Sequence, residues 1–370
     1  MLSKTRLFHC LSCFRKPVRM LIGSCATFQK NPIVKATLKR AAADRKLNIF
    51  GLLLHLKWLQ QGSALRKKTV GKRICLHSHV LLNEQPVYFI CGLPRSGTTF
   101  LNEVLTADVT SRSITYPDLD IDMNRLISDV SKLFREGVQP ISDLHPLDKV
   151  AEDLEIMMHG TVSHQLQGLY GMESAITGTL EQQAAFWHEN YAFLWCFLQK
   201  MPSSERHRRF LLKSPFIHVV FYPWFSAQFP SHRLIITYRS LRSCAISWCQ
   251  LLEADHEYIY EPVDPKEVGK LVMIYIRQYA ASLPAVLAHG FAHLVSFERM
   301  VHDPITEIRK IYQTMGWDSW NQAEFDAILL AQVHKHRVTL AKPALSYYGL
   351  DADELRTLEA NLDAQCKDFL

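Results

Sequence analysis

Long apolar runs are missing from this chain of 370 residues. No stretch reaches the roughly 18 uninterrupted apolar residues that a membrane-spanning helix requires. "NIFGLLLHLKWLQ" (48–60) comes nearest, but His55 and Lys57 interrupt it, and it reads as a half-buried helix. Internal repeats and low-complexity tracts are missing too, which excludes solenoid and fibrous classes. No Pro/Gly/Ser-rich linker divides the core, so one large domain is expected rather than two.

Acid is missing at the start. Residues 1–43 hold nine Lys or Arg and no Asp or Glu, and the rest of the chain carries slightly more acid than base. The net charge of +6 therefore belongs to an N-terminal arm and is no argument for a nucleic-acid partner. Such an arm matches a mitochondrial transit peptide, a membrane-surface segment or a solvated basic tail. Paired cysteines are missing as well. The nine are an odd number scattered from Cys10 to Cys366, and the Cys10/Cys13 spacing beside His9 has no second Cys/His pair to complete a zinc set. Reduced thiols and an intracellular, cytoplasmic setting are the expectation, with the mitochondrial address as the alternative.

The most informative gap is a single lysine. "GLPRSGTTF" (92–100) places Gly92 and Gly97 at the two glycine positions of the phosphate loop G-x-x-x-x-G-K-[ST], and Thr99 at the hydroxyl position. Thr98 stands where the lysine belongs. The apolar run "PVYFICGL" (86–93) predicts a buried parallel strand before the loop, and Phe100, Leu101, Val104 and Leu105 predict a helix after it. Strand, tight loop and helix make an anion cradle of backbone N–H groups and a helix N-terminus. Arg95 restores a cation from inside the loop.

A Mg²⁺-dependent nucleotidase also needs a carboxylate at the end of a neighbouring strand. "RLIITYR" (233–239) ends instead in Arg239, which attracts a second anion. Ser247 lies eight residues on, about two turns into a helix expected from Leu241. Further strands are predicted at "RFLLK" (209–213) and "AHLVSF" (292–297). Helices are expected to open at Asp264-Pro265-x-Glu267, with Glu267 closing a capping box, and at Asp303-Pro304, the latter stopping at Gly316. Alternating strands and helices imply a mainly parallel sheet wrapped on both faces. At this level a nucleotide kinase with a degenerate loop and a catalytically silent nucleotide-binding protein both remain open.

"GLPRSGTTF", "HPLDKVAEDL" (145–154), "LLKSPF" (211–216), "LIITYRS" with Ser247, and "FERMVHDP" (297–304) occur in the order and spacing of one family. From about residue 86 to the C-terminus the chain resembles the sulfotransferase superfamily, in its broad bacterial, algal and protist branch. The resemblance implies a P-loop-like, three-layer α/β/α fold over 86–370, behind a basic, helical extension over 1–85. It implies 3′-phosphoadenosine 5′-phosphosulfate (PAPS) as sulfuryl donor, 3′-phosphoadenosine 5′-phosphate (PAP) as product, and no metal. The acceptor would be the hydroxyl or amine of a small molecule, glycan or lipid.

By position, Gly92, Pro94, Arg95, Ser96, Gly97, Thr98 and Thr99 resemble the 5′-phosphosulfate loop, and Arg239 and Ser247 the 3′-phosphate pair. "TYRS" departs from the commoner R-D-P continuation, so the turn after Arg239 is atypical. Arg95 and Lys213 are the expected catalytic cations. Asp118 is the expected proton acceptor and His145 its alternative, while His218 is displaced by one residue from the commoner spacing. Tyr170, Phe186, Trp187 and Tyr191 are available to an acceptor pocket, although core packing is their commoner use. The HKHR run (334–337) is either a donor contact or a solvated cationic face.

Overall fold

Val87–Gly92 forms strand β1, and all six of its residues are buried. The reason is its position. In the computed structural model β1 is the central strand of a five-stranded sheet ordered β2-β3-β1-β4-β5, with every pairing parallel. The structure describes residues 87–119, 152–154, 156–157, 179–199, 201, 209–214, 216–259, 263–318, 326 and 343–369. The N-terminal arm, His145, Tyr170 and the HKHR run lie outside the described residues.

The strand period of two divides β1 between two cores. Val87, Phe89 and Cys91 face one cluster and Tyr88 and Ile90 the other. Helix α1 (Thr98–Thr106) covers the second face with Phe100, Leu101, Val104 and Leu105, the residues whose helical spacing predicts it. Strand β2 (Ser111–Ser113) pairs at the sheet edge and is the one strand with no signature in the sequence, because Ser-Arg-Ser has no apolar pattern. Helix α2 (Leu180–Gln199) follows, then β3 (Arg209–Lys213), α3 (Ile217–Val220), α4 (Tyr222–Gln228) and β4 (Arg233–Tyr238).

Next come α5 (Leu241–Ile259), α6 (Pro265–Ala288), β5 (Ala292–Ser296), α7 (Phe297–His302), α8 (Pro304–Met315) and α9 (Ala352–Cys366). The α8 helix stops at Gly316, in the left-handed conformation that favours glycine. Asp264 caps α6 by accepting from the N–H of Lys266, whereas Glu267 is paired with Lys270 at 3.1 Å rather than closing a capping box. Helix α6 is long and apolar enough to cross a membrane by length and composition, but half of its most apolar window is buried against the rest of the protein.

Phe186, Trp187 and Tyr191 are core residues, not pocket lining. Trp187 stacks on Phe221 at 4.1 Å, and Tyr191 meets Phe225 edge-on at 5.6 Å. Phe89 completes this aromatic layer against Phe225 at 4.8 Å and Phe229 at 5.2 Å. Truncating a Phe this deep to alanine costs about 3–5 kcal/mol.

Strand order places the site. From β1 the chain crosses to β2 and returns to β3, whereas from β4 it turns the other way to β5. The reversal falls between β1 and β4, where an open parallel sheet leaves a crevice at its carboxyl edge. Gly92 and Thr237 are paired across that edge.

Candidate active site

The loop from Leu93 to Gly97 leaves β1 into this crevice. Its tight turn is closed by the Ser96 N–H on the Leu93 carbonyl at 3.0 Å. Gly92 is required because a Cβ there would collide with Thr237 and with the Ser96 hydroxyl. Gly97 is required twice, by its φ of +100° and by the Phe297 ring, which lies where a side chain would go. Gly97 is also the N-cap of α1, and no side chain caps that end. The first N–H groups of α1 therefore have no intrahelical partner, which is the arrangement an anion can use.

Ser96 is 1% exposed and serves the scaffold. Thr237 Oγ1 donates to the Cys91 carbonyl, so the Ser96 hydroxyl is the donor in the 2.5 Å contact between the two side chains. Ser96, grouped by sequence with the anion ligands, also ties the loop to β4 through this bond. Thr98 is buried and Thr99 half-buried at the start of α1.

Arg95 is the one described non-glycine residue with positive φ, at 70°. Its Nε donates to Ser247 Oγ at 3.1 Å, and its carbonyl accepts from Arg239 Nη1 at 2.9 Å. The two expected anion sites thus form one cluster, with Arg95 as the shared member. Arg239 leaves the end of β4 with its guanidinium 4.4 Å from the centre of the Phe297 ring. Burial, reinforced by the neighbouring Arg239, depresses the pKa of Arg95. Among the described residues no carboxylate is ion-paired with either arginine. Two arginines so close, with no ion-paired carboxylate among the described residues, give this edge of the sheet a local positive charge.

Across β1 from Arg239, β3 ends at Lys213. Lys213 is buried, and its Nζ is 2.8 Å from Glu152 Oε1. The following residues on both segments meet behind this pair. Asp153 Oδ2 accepts from the Ser214 hydroxyl and from His218 Nε2, the latter at 2.7 Å. His218 Nδ1 is 3.2 Å from the Tyr191 hydroxyl. Asp153 and His218 are fully buried, so His218 belongs to the support of the Lys213–Glu152 pair and not to its open side. Burial, with the Asp153 carboxylate close by, pushes the Tyr191 hydroxyl well above the usual phenol range.

Asp118 sits on a turn after the edge strand β2. One of its oxygens accepts from Arg112 at 2.7 Å, the other from the N–H and hydroxyl of Thr115, both at 2.9 Å. It braces its own turn. Sequence pattern alone assigns no role to Glu152, Asp153 or Phe297, although they lie within "HPLDKVAEDL" and "FERMVHDP". The adjacent acids of "AEDL" were the signal for the first two, and the aromatic opening "FERMVHDP" was the signal for the third.

The sequence model of a family described as "Sulfotransferase family" matches residues 86–322, well over half of the chain. No curated protein sequence is significantly similar to it. Among solved structures, sulfotransferase STF9 from Mycobacterium avium superposes with a TM-score of 0.64 at 18% identity, over 95% of both chains. Sulfotransferase STF1 from Mycobacterium tuberculosis H37Rv gives a TM-score of 0.66 at 15% identity, covering 94% of this chain and 97% of that one. At these identities the likeness is one of fold.

Proposed function

The chain belongs to the sulfotransferase family, and from that premise we propose that it transfers a sulfuryl group from PAPS to a hydroxyl or amine acceptor. The observation that carries the donor assignment is the Arg95–Ser247–Arg239 cluster at the carboxyl edge of β1 and β4, with no carboxylate among the described residues ion-paired to it. A nucleotide with phosphate at both ends needs two anion contacts and no magnesium carboxylate. Thr98 in place of lysine and Arg239 in place of a strand-end acid meet that need.

PAPS, when bound, supplies the sulfuryl group and a bisphosphate leaving group. The 93–99 loop and the start of α1 offer backbone N–H groups to the 5′ end, and Arg239 with Ser247 offers donors to the 3′-phosphate. Sulfuryl transfer, like phosphoryl transfer, asks the protein mainly for positioning and charge stabilisation. Arg95 and Lys213 provide cations on the two sides of the loop. Glu152, half-buried beside Lys213, is the carboxylate best placed to take the acceptor's proton, because both Asp118 oxygens serve a turn. The acceptor class is a small molecule, glycan or lipid.

The test has two arms. PAP, and not ATP with magnesium, is expected to raise the melting temperature; the opposite preference would sink the donor assignment. Radiolabelled sulfate from PAPS is then expected to enter a component of a metabolite extract. Stabilisation by PAP with no transfer to any acceptor would favour a silent binder.

A further inference from the structure

Arg239 is followed by Ser240, whose carbonyl accepts from the Cys244 N–H, and Leu241 opens α5 with no acidic residue in its first turn. A helix that begins beside an anion site with unsatisfied N–H groups is poorly anchored. Here the anchor comes from the far end of the chain. The Leu241 N–H donates to Glu359 Oε1 at 3.1 Å, across 118 residues.

A second bond to the same helix lies just before Arg239. The Tyr238 hydroxyl donates to Asp363 Oδ1, and Tyr238 is itself a buried residue of β4. Glu359 and Asp363 are four residues apart on α9, so they share a face. Residues 238 and 241 are therefore pinned to one face of α9, with Arg239 between them. Helix α9 is held in turn by Leu355, Leu362 and Cys366 in the core and by the two-pronged Arg277–Glu354 ion pair, at 2.6 and 2.9 Å. It lies beyond residues 86–322, outside the stretch matched by the family.

We propose that α9 is a positioning element of the donor site, with Glu359 holding the first N–H of α5 from the far end of the chain and thereby fixing Arg239 for the 3′-phosphate. A carboxylate at a helix N-terminus stabilises it through the N–H groups and the helix dipole. With Leu241 and Tyr238 both held, the Arg239 backbone has little freedom, and its guanidinium stays on the Arg95 carbonyl and the Phe297 ring. The bonds of Glu359 and Asp363 go to the Leu241 N–H and the Tyr238 hydroxyl, so they act on Arg239 through the backbone on either side of it. This inference rests on the assignment of Arg239 to the 3′-phosphate.

The experiment compares PAP with adenosine 5′-phosphosulfate, which has no 3′-phosphate, by calorimetric titration of the full chain. Glu359→Ala is expected to weaken PAP about tenfold, the size of a lost cap, and to change adenosine 5′-phosphosulfate binding less than about twofold. Glu359→Gln keeps an accepting oxygen and is expected to hold PAP within about twofold of wild type. Tyr238→Phe removes one hydroxyl only and serves if Glu359→Ala does not fold; it is expected to weaken PAP about threefold with the same selectivity. Equal loss for both nucleotides would mark a merely structural helix and overturn the proposal. Wild-type PAP affinity in Glu359→Ala, or equal weakening by Gln and Ala, would overturn it too. If the wild-type chain itself fails to prefer PAP, the Arg239 assignment falls first, so the two failures are distinguishable.

Discussion

Arg239 donates from Nη1 to the carbonyl of Arg95 at 2.9 Å, although 144 residues separate them in sequence. One guanidinium thus locks the loop's left-handed residue and still keeps donors for a ligand. A lysine has no planar fork with which to do both. Arg239→Ala is expected to weaken PAP about 10- to 100-fold, and Arg239→Lys to recover little of it. Unchanged affinity in the alanine variant, read by calorimetric titration, would remove the 3′-phosphate assignment.

Gly97 combines positive φ with a ring in the space of its missing side chain. Gly97→Ala is expected to destabilise the fold by about 1–3 kcal/mol and to abolish PAP binding in the folded fraction. Urea melts and calorimetry on one sample check both. A variant that binds normally would show that the loop conformation is not needed for the anion.

The proposed function makes Glu152, paired with Lys213 at 2.8 Å, the acceptor of the substrate's proton. Glu152→Gln is expected to lower kcat about 10²-fold or more while leaving PAP affinity nearly intact. A comparable loss in PAP affinity with unaltered kcat would make Glu152 a binding residue instead.

Asp108 marks the opposite, N-terminal end of β3. It accepts from Arg209 at 2.7 Å, Tyr312 at 2.5 Å and both donors of Thr110, at 2.9 and 2.7 Å. Burial alone would raise its pKa, yet these bonds outweigh it and hold the carboxyl below the usual range. Its stabilisation is therefore present above the unfolded carboxyl value, near pH 4, and is lost as pH falls through the folded value. Asp108→Ala leaves Arg209 buried without its partner and is expected to cost about 3–5 kcal/mol in denaturant melts. PAP binding by the folded fraction should be unaffected.

His232 is buried with Nδ1 on the Phe229 carbonyl at 2.5 Å and Nε2 3.1 Å from the Tyr222 hydroxyl, a pattern that suits the neutral ring. Burial lowers its pKa from 6.5 to about 4. The unfolded chain then binds the proton more readily between those values, so this contribution is full above pH 6.5 and lost as pH falls toward 4. Melting temperature is expected to decline across that window, with a shallower decline in His232→Gln. Parallel curves for the two proteins would show that His232 does not titrate on unfolding.

Strands β1, β3, β4 and β5, helices α1, α5, α6 and α8, and the strand–loop–helix form of residues 87–106 were legible in the sequence, because apolar periodicity, capping residues and glycine spacing act within a few residues of one another. Ser-Arg-Ser of β2 was not, since an edge strand of three residues leaves no hydrophobic pattern. Arg95, Arg239 and Ser247 were each recognisable as motif residues, but only sheet order brings them into one cluster, because β1 and β4 are adjacent in space and not in the chain. The same holds for the bond between the Ser96 and Thr237 hydroxyls. It holds again for Asp153 with His218, and for Glu359 with the Leu241 N–H. Local chemistry writes propensities into the sequence, whereas the partner of a buried donor or charge is set by which segments the tertiary fold packs against it.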